Sequence, residues 1–419
     1  MRRLILHIGP HKTGTSSFQH WLRDNAAALA AAGSPCNTDT SPVELLNANA
    51  NGAPLAHAFL AAPQDRSPEQ THLIAAFAQF CQAHPTANVI VSAERFSQPL
   101  FSDRIDADGR NIREKDAQRR REARQLYDAV STLGFDRIDL LVLIRDQVGF
   151  LTSAYMQQLK TLNARWDFST RPLNDLPVRR YADSFRHLTE VGFHVVATPY
   201  RDTADNRPLP ARLMDMAGYG RAAMGGLTFD TPPQNISPGF LTMIGLGHVF
   251  WMLENRAATT SGNDLTALRR GIAQVIRLMH VADDSPMTLF APDKAAQIAR
   301  RQRAYLDGIE NWTGRRRGAD IAGTFPAHGP QSPLSRSELN ADQRARVDAW
   351  LQQVSRGIKG ADRISGMIDH AQLTDLDASP AGVHAAPLRP APCLGGIWAA
   401  LPPDGRRPAS PHRAEDRAL

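Results

Sequence analysis

Leu4-Ile5-Leu6-His7-Ile8-Gly9-Pro10-His11-Lys12-Thr13-Gly14-Thr15-Ser16-Ser17 is the stretch on which the fold turns. Its apolar run from Leu4 to Ile8 has the length of a buried strand, and a helical pattern begins at Phe18. Between them lies a loop bounded by Gly9 and Gly14. A strand, a glycine-bounded loop and a helix N-terminus in that order make an anion site. The N–H groups of the loop and of the first helical turn point at one spot, and the helix dipole adds positive potential there.

Gly9 and Gly14 stand at the spacing of the nucleoside-triphosphate loop G-x-x-x-x-G-K-[ST]. Thr15 occupies the position where that loop needs its lysine, and the lysine of this chain is Lys12, inside the loop. An ammonium placed among the loop amides neutralises a single terminal phosphoryl or sulfuryl bridge rather than following a triphosphate tail. Thr13, Thr15, Ser16 and Ser17 add hydroxyl donors. An ordinary strand–turn–helix connection accounts for the two glycines, but not for the lysine and the hydroxyls around them.

Outward from this stretch, Phe18, Trp21, Leu22, Ala26 and Leu29 predict one helix from Thr15 to Ala31, with Gly33 as its C-cap. Residues 34–66 read as an irregular insertion holding a short helix near Ala56 to Ala61. A helix from Glu69 to Gln82 precedes a second strand, Asn88 to Ser92. A charged helix ending at Gly134 precedes a third, Ile138 to Ile144, apolar on both faces as a central parallel strand requires. Helices after Asp146 and around Tyr181 and Phe185 lead to a fourth strand, Phe193 to Thr198. Strands alternating with helices predict an α/β fold, a parallel sheet flanked by helices.

Beyond residue 200 the pattern is helical, through Pro208 to Gly218, a helix opened by Ser237-Pro238, and others reaching Val354. Residues 1–358 therefore read as one domain, with an α/β core over about 1–200 and a helical part over about 201–358. Residues 359–419 lose periodicity and become rich in Pro, Ala and Arg, the composition of a disordered tail.

With 419 residues, 42% of them apolar, the chain can bury a substantial core. Cys36, Cys81 and Cys393 lie far apart with no CxxC spacing, which argues against a disulfide framework or structural zinc and for a reducing cytoplasm. Met1-Arg2-Arg3 leads straight into a strand, leaving no room for a signal peptide, and no apolar run approaches the ~20 residues that cross a bilayer. The formal charge of +6 comes largely from Arg119–Arg121, Arg315–Arg317 and the C-terminal arginines. No aromatic-interleaved basic stripe, helix-turn-helix pattern or zinc finger accompanies it; solvated helix faces account for most of this charge, and an anionic nucleotide or acidic glycan fits the rest better than nucleic acid.

Two further strand ends carry candidate chemistry. Arg145 closes the third strand and Ser153 lies on the helix that follows; an arginine fork and a serine hydroxyl suit one phosphate, although a strand-end arginine is by itself an ordinary surface ion pair. Glu94, just past the second strand, lies where ligands bind in open α/β sheets, or else forms a surface pair with Arg95. His57, in the insertion, is a rival base, a substrate contact or a structural histidine, and His7 on the buried strand reads as structural.

The string His7 to Ser17 resembles the 5′-phosphosulfate-binding loop of sulfotransferases that use 3′-phosphoadenosine 5′-phosphosulfate (PAPS), closest to their bacterial, carbohydrate-type branch. Ile144-Arg145-Asp146 through Ser153-Ala154-Tyr155 resembles that family's 3′-phosphate motif. The resemblance implies a P-loop NTPase-like core. Gly9, Pro10, His11, Lys12, Thr13, Gly14, Thr15 and Ser16 would hold the 5′-phosphosulfate, and Arg145 and Ser153 the 3′-phosphate. Lys12 would stabilise charge on the bridging oxygen, and Glu94 or His57 would deprotonate a hydroxyl acceptor, a carbohydrate by analogy.

PAP would be the product, and no metal is required. Asn235 and Ser237 resemble an Asn-x-Ser element of the bacterial relatives, with Ser237 equally an N-cap; Arg315-Arg316-Arg317-Gly318 resembles the Arg-Lys-Gly 3′-phosphate element of hormone-type sulfotransferases or else is a solvated charge run; Arg113, Arg179 and Arg180 are candidate contacts for an acidic glycan. Two rivals stay open: a nucleotide-dependent kinase using Asp146 as its magnesium ligand, and a nucleotide- or glycan-binding protein without activity.

Overall fold

The computed structural model describes residues 1–9, 14–34, 36, 52–97, 112–160, 162, 173, 176, 181–203, 205–220, 224–229, 239–257, 262–276, 279–281, 284–306, 318–325, 327–328, 330–333, 336–360 and 370–375. It is an α/β structure, mostly helical, around one four-stranded parallel sheet. The strands are β1 (Arg3–His7), β2 (Val89–Ser92), β3 (Arg137–Ile144) and β4 (His194–Pro199), in the order β2-β1-β3-β4. The register sets His7 beside Ser92 and Leu141, and Ile144 beside Pro199.

Helices α1 (Thr15–Asp24) and α2 (Ala26–Ala31) follow β1, and α3 (Ala53–Leu60) and α4 (Pro68–Ala83) precede β2. Next come α5 (Ile112–Ser131) before β3, then α6 (Gln147–Lys160) and α7 (Tyr181–Val191) before β4. The rest are α8 (Leu209–Met216), α9 (Phe240–Ala257), α10 (Gly262–Ile276), α11 (Pro292–Leu306), α12 (Gly318–Gly323), α13 (Ala341–Lys359) and α14 (His370–Thr374).

Period-two alternation divides the sheet between two cores. Leu4, Leu6, Val89, Val91, Leu140 and Val142 face α3, α4, α5 and α7. Ile5, Ile90, Leu141 and Leu143 face α1, α2 and α8. Helix α6 turns away from the sheet and buries Leu151, Tyr155 and Leu159 in a third core with α9, α10, α11, α13 and α14.

The single helix expected over residues 15–31 is broken at Asn25. Its backbone leaves the helical region (φ −108°, ψ 10°) although its N–H still reaches the Trp21 carbonyl, and its side chain donates to that carbonyl (3.0 Å) and accepts from Thr228 N–H (2.9 Å), a tie to a distant segment. The helical part was expected to begin near residue 201, yet α8 packs Leu213 and Met214 on the sheet. Leu306 of α11 and Ile321 of α12 also return to the sheet's first face. In the stretch read as a tail, Leu373 of α14 is buried in the third core and His370 Nδ1 lies 2.8 Å from Ser355 Oγ. Residues 376–419 lie outside the described residues. Among the described residues no helix is long and apolar enough to cross a membrane.

Candidate active site

The strand order reverses direction between β1 and β3. The chain moves from β1 outward to β2 on one side, and from β3 outward to β4 on the other. Such a switch point leaves a crevice beyond the carboxyl ends of the two central strands. The residues that follow those ends are the loop opened by Gly9 and the turn at Arg145.

The far end of the loop is built for close approach. Gly14 has φ +77° and ψ 15°, the left-handed region, and a Cβ there would lie 2.7 Å from Leu209 Cδ2 and 2.9 Å from Tyr200 Cε2. Only glycine fits both demands. Helix α1 starts at the next residue with no side-chain cap and no acidic group in its first turn. Thr15 is buried, and its Oγ1 has no hydrogen-bond partner among the described residues. Uncapped amides and a buried hydroxyl of this kind suit an anion. Ser16 and Ser17 are half-buried, and Pro10, His11, Lys12 and Thr13 lie outside the described residues.

Arg145 stands across the crevice, its Cζ 5.2 Å from the centroid of the Tyr200 ring. Tyr200 therefore borders both Gly14 and the Arg145 guanidinium, so one ring spans the two sequence-predicted clusters. Burial pushes the Arg145 proton affinity down; Tyr200 and Asp146 oppose this and neighbouring Arg201 reinforces it. Ser153 is buried on α6, two turns beyond Arg145.

Asp146 is taken up in structure. Its Oδ1 accepts from Gly149 N–H (2.6 Å) and lies 3.3 Å from His328 Nε2. Burial alone would raise its pKa, but the His328 and Gly149 bonds and the nearby positive charges outweigh it and hold the carboxyl below its ordinary value. A Cβ on Gly149 would sit 2.6 Å from that carboxylate.

Beyond β2, the chain forms a 3-10 turn, Glu94–Phe96, with Glu94 half-buried. His7 is fully buried; its Nδ1 lies 2.9 Å from Ser92 Oγ and its ring meets Phe18 edge-on at 4.9 Å. Burial pushes the His7 pKa down to about 3, against an upward pull from the Glu94 charge, so the ring is neutral and pins β1 to β2. His57, exposed on α3, accepts at Nε2 from Arg95 Nε–H at 2.6 Å. Desolvation and then the Arg95 charge lower its proton affinity.

Tyr200, Arg201 and Arg212 escaped the sequence reading. Arg212 of α8 is buried and donates to the carbonyls of Pro199 (2.8 Å) and Tyr200 (2.5 Å), fixing the turn that presents the ring. The available signal was position: Tyr200-Arg201 directly follows a strand of the parallel sheet, as Arg145 does. Arg179, Arg180, Asn235, Ser237 and Arg315–Arg317, and the side chain of Arg113, lie outside the described residues. Among the described residues no group of three or more His, Cys, Asp or Glu could hold a metal ion. A cavity of about 1250 Å³, lined by α5, α7 and residues 62–66 and including Arg121, Arg124 and Asp128, shares no residue with the strand ends. Comparison with family models, curated proteins and solved structures finds no match for the chain.

Proposed function

We propose that this chain is a PAPS-dependent sulfotransferase with a P-loop NTPase-like core, acting in the cytoplasm on a hydroxyl-bearing acceptor such as a carbohydrate. The observation that carries this reading is the Tyr200 ring, in contact with the end of the glycine-bounded loop and stacked on Arg145 at the sheet's switch point. Anion-binding groups at two adjacent strand ends suit a nucleotide charged at both ends. The buried Thr15 hydroxyl and the uncapped start of α1 favour the 5′-phosphosulfate there, and Arg145, beside the Tyr200 ring, favours the 3′-phosphate.

The reaction forms a bond from sulfur to the acceptor oxygen and breaks the bond from sulfur to the bridging oxygen of PAPS; PAP leaves with the electron pair. Glu94 is the base we assign for the acceptor proton. His57 is the weaker choice, since its Nε2 already accepts from Arg95 and its proton affinity is lowered. Lys12, with the loop amides, takes the charge developing on the bridging oxygen. The capping role of Asp146 counts against the kinase alternative.

Binding of PAP and of ATP·Mg²⁺, followed by transfer from labelled PAPS to the host's surface glycans, tests the reading. Tight magnesium-dependent ATP binding without PAP affinity would support a kinase instead. PAP binding without turnover, in wild type as in Glu94→Ala, would indicate a binding protein. Lys12→Ala should lower turnover by about a hundredfold or more while the melting temperature holds, because it removes a charge that acts on the transition state.

A further inference from the structure

Helix α11 belongs mainly to the third core, yet one of its side chains reaches the turn between β3 and α6. Gln302 is 1% exposed. Its Nε2 donates to the Arg145 carbonyl at 2.9 Å, and its Oε1 accepts from Gln147 N–H at 2.8 Å. The two bonds use the amide's donor and acceptor on either side of Asp146, and only one amide orientation satisfies both. They satisfy a carbonyl at the strand end and one of the orphan N–H groups of the α6 start. Asp146 in the middle is held in turn by Gly149 N–H and His328. The backbone of the turn from Arg145 to Gln147 is thus held by Gln302 of α11, and the Asp146 side chain within it by Gly149 N–H and His328.

We propose that Gln302 is a positioning residue for the Arg145 anion site, holding the turn so that the guanidinium stays stacked on Tyr200 and aimed at a phosphate. This rests on the reading of Arg145 as the 3′-phosphate ligand. It adds a physical link from the third core, which lies on the acceptor side in that reading, to the nucleotide. A merely structural helix cap would contribute to stability without affecting which nucleotide binds.

PAP and AMP differ only in the 3′-phosphate, so their affinity ratio reports the 3′-phosphate site, and Arg145→Ala gives the share that Arg145 carries. Calorimetric titration of both into wild type, Arg145→Ala, Gln302→Met and Gln302→Glu tests the assignment. Gln302→Met removes both hydrogen bonds at similar volume. Gln302→Glu keeps an acceptor for Gln147 N–H but sets a carboxylate oxygen against the Arg145 carbonyl. The expected result is a PAP preference in wild type that falls on the order of tenfold in either Gln302 variant, with AMP affinity unchanged.

An equal fall for both nucleotides, or an unchanged preference, would overturn the positioning role while leaving the sulfotransferase reading intact. A wild type with no preference for PAP, or a preference that survives Arg145→Ala, would overturn that reading and this inference with it. Should neither Gln302 variant fold, Gln302 belongs to stability alone and the proposal fails.

Discussion

Gly14 concentrates the demands of the site in one residue. Its left-handed φ of +77° and the approach of Leu209 and Tyr200 each exclude a side chain. Gly14→Ala should cost about 2–4 kcal/mol in urea unfolding, from backbone strain plus overpacking, and should displace Tyr200 from Arg145. A loss under about 0.5 kcal/mol would mean that the close packing is not sustained. His7 offers a second test at this scale. Its folded pKa of about 3 lies below the ordinary histidine value, so the unfolded chain binds the proton more readily. The stability from its neutral form is therefore full above about pH 6.5 and is lost as pH falls towards 3. His7→Asn, which keeps a polar group for Ser92, should flatten the acid limb of stability against pH. An unchanged slope between pH 7 and pH 4 would count against a buried neutral His7.

At the scale of elements, the four strands and the helix start after Gly14 were legible because their signals are local. A buried parallel strand announces itself as an apolar run, as Ile138 to Ile144 does, and the Gly9–Gly14 spacing needs no tertiary knowledge. What could not be read depended on partners distant in sequence. Asn25 breaks its helix because Thr228 is there to receive it, and Gln302 meets Arg145 across 157 positions. Tyr200 acquires its place from Gly14 and Arg145 together.

Asp139 shows how far such long-range partnership ties the sheet. Its buried carboxylate receives Arg3 of β1 (3.1 Å), Arg137 of its own strand (2.8 Å) and His194 of β4 (2.8 Å). Asp139→Ala should cost about 2–4 kcal/mol in denaturant unfolding, since it leaves the Arg3 and Arg137 guanidinium groups without the buried carboxylate between them, a cost that their partial exposure to water reduces. A cost below about 1 kcal/mol would show that water solvates them readily there.

For the whole molecule, the three cores are not laid out one after another along the chain. Helix α6 leaves the sheet for the third core, α8 returns to it, and Leu306 and Ile321 come back from beyond residue 300 to its first face. The Gln302 bonds cross the same boundary. A fragment ending at residue 200 would leave Ile5, Leu143 and Val196 without α8, and is expected to lack a cooperative transition. The intact chain should unfold as one unit. Trp21 reports the α1 face of the sheet and Trp350 the third core, and both are buried. Variants retaining only one of these tryptophans should give coincident urea transitions, each matching the loss of helical circular dichroism. Midpoints separated by more than about 0.5 M, with slopes m that each fall short of the whole-chain value, would instead mean that the helical core and the sheet unfold independently. Coupling through α6 and α11 would then be too weak to hold Arg145 in place.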